Sequence, residues 1–192
     1  LLSIALLAYA SEELLWTPVN IPGLKVAEGG TLNLGLWFYG GFGWLNTGWQ
    51  LWITHDAGRS WTLSLTAPEH RLFYDSDFIN ASEGWAVAGI GPSFLFHTQD
   101  GGKTWQPVEF KLTQTSDKPL LPGNLLLVRI YFKDSRHGLG TFVIDSFPQW
   151  GGSIVARTED GGQQWREIAR NSSFPQLFGF GDQVWIDSIY SP

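Results

Sequence analysis

Hydrophobic residues in this chain come in short bursts separated by glycine, asparagine, aspartate and serine, a spacing that suits strands and turns. The run Leu125–Phe132, with a single charge at Arg129, reads as a buried strand. Gly84-Trp85-Ala86-Val87-Ala88-Gly89 reads as another, preceded by the turn Asn80-Ala81-Ser82-Glu83. No stretch of helical length is rich in Ala, Leu, Glu and Lys, so the pattern predicts an all-β protein.

The strands repeat as sets. The pattern Thr-x-Asp-(Ala/Gly)-Gly-x-x-Trp occurs three times, with Thr54, Asp56, Gly58 and Trp61, then Thr98, Asp100, Gly102 and Trp105, then Thr158, Asp160, Gly162 and Trp165. Upstream lies a second landmark, an aromatic followed seven residues later by Trp or Leu: Trp37/Trp44, Phe78/Trp85, Phe132/Leu139 and Phe178/Trp185. Each unit thus offers a strand ending near the aromatic, a short turn, a second strand, a third ending in the box, and a fourth after the box Trp. Four antiparallel strands per unit of about 45 residues match a propeller blade.

The expected architecture is a β-propeller of four-stranded antiparallel blades with about four blade units, either a ring in itself or a piece of a larger one. They fall near 31–66, 70–111, 124–170 and an incomplete 176–192, inside a domain spanning 11–192. Trp16-Thr17-Pro18-Val19 matches Trp105-Gln106-Pro107-Val108, so residues 14–21 read as a closing outer strand paired with the blade of Trp185. Residues 1–10 carry two readings. The apolar run closed by Ala8-Tyr9-Ala10 and followed by Ser11-Glu12-Glu13 fits either a secretory-signal remnant or a buried closing strand.

The box needs no ligand. Asp-Gly-Gly between strands is hairpin chemistry, with Gly accepting positive φ and Asp accepting N–H groups just ahead of it, while the Trp packs beneath the turn. Calcium would need six to eight oxygens, and the first two boxes bring one acid each. The four histidines show no ligand spacing, so neither metal nor cofactor is expected.

Composition narrows the functions. The 192 residues are 43% hydrophobic and 16% charged, enough to fill a core. A net charge of −6 with scattered Lys and Arg argues against nucleic acid. No apolar run approaches the roughly 20 residues needed to span a bilayer. Cysteine is absent, which removes disulfides, thiolate metal sites and cysteine nucleophiles.

At the boxes the chain resembles the Asp-box, or bacterial neuraminidase repeat, family, whose consensus is Ser/Thr-x-Asp-x-Gly-x-Thr-Trp. The run Gly84-Trp85-Ala86-Val87-Ala88-Gly89, followed by Phe94 to Trp105, is similar to the photosystem II assembly and stability factor propellers. The likeness covers about residues 31 to 190. It implies a non-catalytic, exported scaffold, in periplasm, thylakoid lumen or extracellular space, that binds protein, with membrane-complex subunits as partners. The box also occurs in sialidases, xyloglucan hydrolases and sortilin-like receptors, so a glycan-binding or glycan-hydrolysing propeller and a structural subunit of a larger complex are the alternatives. Against sialidase chemistry, the seven arginines include no Arg-Ile-Pro segment. Asp75, Asp77 and Asp145 are the acids near strand ends that a paired-carboxylate glycosidase could use, but no spacing selects a pair.

The length differences between units fall on the face opposite the boxes, in the second-to-third-strand loops and the blade links. Insertion is tolerated, and function placed, on such loops. That face is the expected partner surface, lined by 46–49, 91–93, 111–124 and 145–152. Trp49, Pro92, Phe147 and Trp150 are its candidate contacts.

Overall fold

The computed structural model describes residues 4–8, 15–25, 35–68, 71–89, 93–115, 125–144, 152–171, 175–180 and 183–188, and every described element is a strand. Strands β1 (Ile4–Ala8) and β2 (Leu15–Val19) form an antiparallel hairpin. β3 (Gly35–Tyr39), β4 (Phe42–Asn46), β5 (Gln50–Thr54) and β6 (Thr62–Thr66) follow one another across the first four-stranded sheet. β7 (Leu72–Phe78), β8 (Gly84–Gly89), β9 (Phe94–Thr98) and β10 (Gln106–Val108) repeat that order in the second.

The third sheet has an additional member. β11 (Lys111–Thr113) crosses from the second sheet and lies parallel on the outer edge of β15 (Gln164–Asn171). Inside it come β14 (Ser153–Thr158), β13 (Gly138–Ile144) and β12 (Leu125–Phe132). β16 (Pro175–Phe180) and β17 (Gln183–Ser188) close the chain as a second hairpin, and among the described residues no strand pairing joins it to β1 and β2.

The middle strands are the buried ones. Every residue of β4, β5 and β8 is buried, because each lies within a sheet that is itself packed between neighbours. This explains runs such as Gly84–Gly89 that are apolar without alternating.

Within each blade one aromatic arrangement recurs. The phenylalanine near the end of the first strand stands in register with a glycine of the second: Phe38 with Gly43, Phe78 with Gly84, Phe132 with Gly138. The box Trp meets the same ring edge-on, at centroid distances of 6.0, 5.8 and 6.0 Å. A Cβ on those glycines would come within 2.6, 2.4 and 2.8 Å of the ring, so only glycine leaves it room. In the first blade the sequence landmark is therefore one residue off. Phe38 takes the role expected of Trp37, since the turn through Gly40-Gly41 is a residue shorter, and Trp37 instead stacks on Trp44 at 5.7 Å.

The same phenylalanines join blades. Trp44 of the first blade packs against Phe78 of the second at 4.9 Å, and Trp85 of the second against Phe132 of the third at 3.8 Å. Around these pairs lie the two larger cores, one containing Leu51, Ile53, Phe73 and Ala86, the other Val87, Leu127, Phe142, Ile154 and Trp165. A smaller core forms where Ile21, beyond β2, is buried against Leu45 and Trp52 of the first blade.

Candidate functional site

The two ends of each blade differ in construction. At one end, the box turn docks on the turn between first and second strands. The N–H of the fourth box residue donates to that neighbouring turn in all three copies: Ala57 to the Gly41 carbonyl at 2.8 Å, Gly101 to Ser82 at 2.7 Å, Gly161 to Arg136 at 2.9 Å.

Inside each box the threonine hydroxyl donates to the aspartate, at 2.8 Å for Thr54 and 2.9 Å for Thr98 and Thr158. The same hydroxyl oxygen accepts the N–H of Gly58, Gly102 or Gly162. The aspartate in turn accepts the N–H of the residue before the Trp: Ser60, Thr104 or Gln164. The backbone N–H and hydroxyl of Ser60 hold the Asp56 carboxyl down to about 2, and those of Thr104 do the same for Asp100. For Asp160, burial works the other way, and the Gln164 N–H and Thr158 hydroxyl outweigh it to lower its pKa. Trp61 and Trp165 donate their indole N–H to Gly58 and Gly162 carbonyls; Trp105 instead donates to Ser64 Oγ, whose hydroxyl donates to the Gly102 carbonyl.

The box aspartates thus bond within their own turns, while other box atoms tie those turns to the adjacent turn and, at Trp105 and Gly102, to Ser64 of the first blade. Among the described residues no group of three or more His, Asp or Glu is placed to hold a metal ion. Beside the third box a hollow of about 470 Å³ is lined by Thr113, Thr115, Arg157, Glu159 and Arg166, where Arg157 pairs with Glu159 at 3.5 Å.

At the other end, the second-to-third-strand turn of the first blade is a rigid bracket. Gly48, at φ 83°, donates its N–H to Asn46 Oδ1 at 2.8 Å, and Thr47 and Gln50 bond one another through backbone and hydroxyl. The link to the second blade is tied to this turn: Ala67 N–H donates to the Trp49 carbonyl and Phe73 N–H to the Gly48 carbonyl, at 2.9 and 2.7 Å. Trp49 itself projects from the bracket with 37% of its surface exposed. On the second blade, Arg71 stacks its guanidinium 4.5 Å from the exposed ring of Phe94, and Ser93 Oγ donates to the Leu127 carbonyl. Pro92, Phe147 and Trp150 lie outside the described residues.

One sequence expectation changes here. Residues 111–115 are not a free loop on this face. β11 is a sheet strand, and Thr115 N–H donates to Glu167 Oε2 at 3.0 Å, with Arg170 bonding the same carboxylate. Asp75 and Asp77, candidates among which no spacing selected a pair, are both engaged across the seam to the third blade. Their carboxylates accept the N–H groups of Ile130 and Phe132 in the neighbouring blade, at 3.0 and 2.6 Å. Their spacing of two on one strand placed them on one face, but no sequence signal told that a strand edge would face them. The Arg71–Phe94 pair was likewise not legible, because Arg71 lies just before β7 and Phe94 opens β9, and only the fold brings them together.

Comparison with known proteins agrees with this architecture. The BNR/Asp-box repeat model matches residues 96–107. Among solved structures, YCF48 bound to D1 peptide is 22% identical with a TM-score of 0.53, over 90% of this chain and 48% of that one. YCF48 from Cyanidioschyzon merolae is 22% identical with a TM-score of 0.45, over 69% and 37%. The GH74 xyloglucanase from Xanthomonas campestris is 14% identical with a TM-score of 0.46, over 67% and 18%. A sequence search of characterised proteins finds no match. The chain is an all-β, Asp-box-repeat β-propeller that resembles YCF48 and spans about half the length of the YCF48 chain it matches. Among the described residues no helix is long and apolar enough to cross a membrane.

Proposed function

We propose that the chain acts as a non-catalytic, exported protein-binding scaffold of the photosystem II assembly-factor kind, with subunits of a membrane complex as its partners, and that it contacts them through the face opposite the boxes. The observation that carries this reading is Trp49: a large aromatic held on a hydrogen-bonded bracket yet left exposed. Rigid aromatics of this kind bind with little loss of conformational freedom and are enriched among the residues that dominate protein interfaces. YCF48, whose fold this chain resembles, has been solved bound to D1 peptide. Pro92, Phe147 and Trp150 belong to the same proposed surface.

The non-catalytic part of the reading is supported by what the acids do. Asp56, Asp100 and Asp160 bond their own turns, and Asp75 and Asp77 bond a neighbouring strand, so each of these acids has a structural role within the fold. Asp145 lies outside the described residues.

Titration calorimetry with the D1 peptide as probe tests the reading. The wild-type chain should bind, and Trp49→Ala should weaken binding at least about tenfold, the size of effect typical of an interface anchor, with its melting temperature unchanged. A Trp49→Ala protein that melts early yet binds per folded molecule like wild type would make Trp49 a packing residue and refute the assignment.

A further inference from the structure

The seam between the second and third blades is bridged by side chains where no strand ladder joins them. Innermost strands β7 and β12 run side by side, each with its other edge occupied by its own second strand. Asp75 and Asp77, two apart on β7, reach Ile130 and Phe132, two apart on β12. Each carboxylate accepts one backbone N–H, at 3.0 and 2.6 Å. Asp75 also accepts the N–H of Ser76 at 2.9 Å.

Among the described residues of the strands around it, few charges balance this pair. From β12, Arg129 faces Asp75 and donates to the Tyr74 carbonyl at 3.4 Å. Tyr74 on β7 and Tyr131 on β12 are the other titratable side chains of the two strands. The strands packed against them, β4, β8, β13 and β16, contain none. Among the described residues of these strands, one guanidinium therefore stands against two carboxyl groups at a partly buried seam. Burial pushes Asp75 up to about 6 despite Arg129, and pushes Asp77 up to about 7, with the charge of Asp75 adding to the shift.

We propose that Asp75 and Asp77 form a proton-controlled clasp between the second and third blades, tight while the pair retains a proton and loosened when both groups ionise. A neutral carboxyl still offers its carbonyl oxygen to the Ile130 or Phe132 N–H, so protonation keeps both bridges. Ionisation strengthens each N–H bond, but it leaves two neighbouring anions at a partly buried seam, and their desolvation and mutual repulsion outweigh that gain. Because both groups titrate higher in the folded chain than in the unfolded one, the folded state binds more protons between pH 4 and 7. The clasp's contribution is complete below the unfolded value near 4 and is lost as pH rises through 6 and 7.

The test compares melting temperature from pH 5 to 8 in the wild-type chain and in the Asp75→Asn/Asp77→Asn double variant. Asparagine keeps an acceptor oxygen and removes the titration. The difference between the two proteins is the readout, because contributions common to both cancel in it. The wild type should lose on the order of 5 °C relative to the variant across that range. Parallel curves would overturn the proposal. If the variant does not fold, amide exchange in the wild type decides. After correction for intrinsic pH dependence, the opening equilibrium at Ile130 and Phe132 should rise at least tenfold from pH 5 to 8, and an unchanged opening would equally overturn it.

Discussion

The indole of Trp85 lies flat on the ring of Phe132, with centroids 3.8 Å apart and planes 8° from parallel, and its N–H donates across the same junction to the Gly161 carbonyl at 3.2 Å. One side chain of the second blade thus meets both the innermost strand and the box of the third. Trp85 is fully buried, and His97 stacks on its other face at 4.5 Å.

Trp85→Ala should therefore cost about 3 to 5 kcal/mol, as for large buried aromatics, and should do so by separating blades. Denaturant unfolding measures it. A cost below about 1 kcal/mol would mean that the junction does not depend on this contact.

Ala57 is the one described non-glycine residue with positive φ, at 56°, in the position where the other boxes have Gly101 and Gly161. Left-handed backbone costs an alanine about 1 to 2 kcal/mol, partly offset by the greater freedom of glycine in the unfolded chain. Ala57→Gly should raise stability by about 0.5 to 1 kcal/mol, read from the denaturation midpoint. Destabilisation would show that the Ala57 side chain makes a contact worth more than the strain.

The box aspartates predict an acid limb. Asp56 and Asp100 titrate near 2 in the folded chain, below their unfolded value. Their contribution is present above about pH 4 and is lost as pH falls toward 2. Asp100→Ala should melt earlier than wild type at pH 7 and show a shallower loss between pH 4 and 2, with EDTA leaving both melting curves in place. An EDTA-sensitive melting temperature in the wild type alone would reassign Asp100 as a metal ligand.

We infer that β1 and β2 are the outer strands of the blade preceding the first. Ile21, five residues beyond Trp16, is buried against Leu45 and Trp52 of the first blade, as Phe110, five beyond Trp105, packs on Phe142 of the third at 6.0 Å. The closing role expected of residues 14–21 assigns the inner strands of that blade to the segment around Trp185. Deleting residues 15–21 should uncover Leu45 and Trp52 and produce aggregation, visible by light scattering. A deletion variant that stays monodisperse with unaltered melting would remove the segment from the fold's core.

The strand order was legible in the sequence because its determinants are local. Box turns announce themselves through Asp-Gly-Gly, and the glycine before Trp85 marks where a phenylalanine ring must lie. What stayed hidden depends on neighbours in space. β11 is a three-residue strand whose ladder partner among the described residues, β15, lies some fifty residues away, so nothing in Lys111-Leu112-Thr113 distinguishes it from loop. The bonds from Asp75 and Asp77 to Ile130 and Phe132 likewise span 55 positions. Of the candidate face, Trp49 was legible as a loop tip. Its support was not, since Ala67 and Phe73, which bond its turn, come from the next link.

The most direct test of the account is hydrogen exchange of the chain with and without the D1 peptide. Protection should appear at residues 46–50, 67–73 and 93–96, around Trp49 and the Arg71–Phe94 pair, while 55–60 and 99–104 in the boxes exchange as before. Protection confined to the box turns, with the Trp49 bracket unchanged, would contradict the assignment of the partner surface to the opposite face.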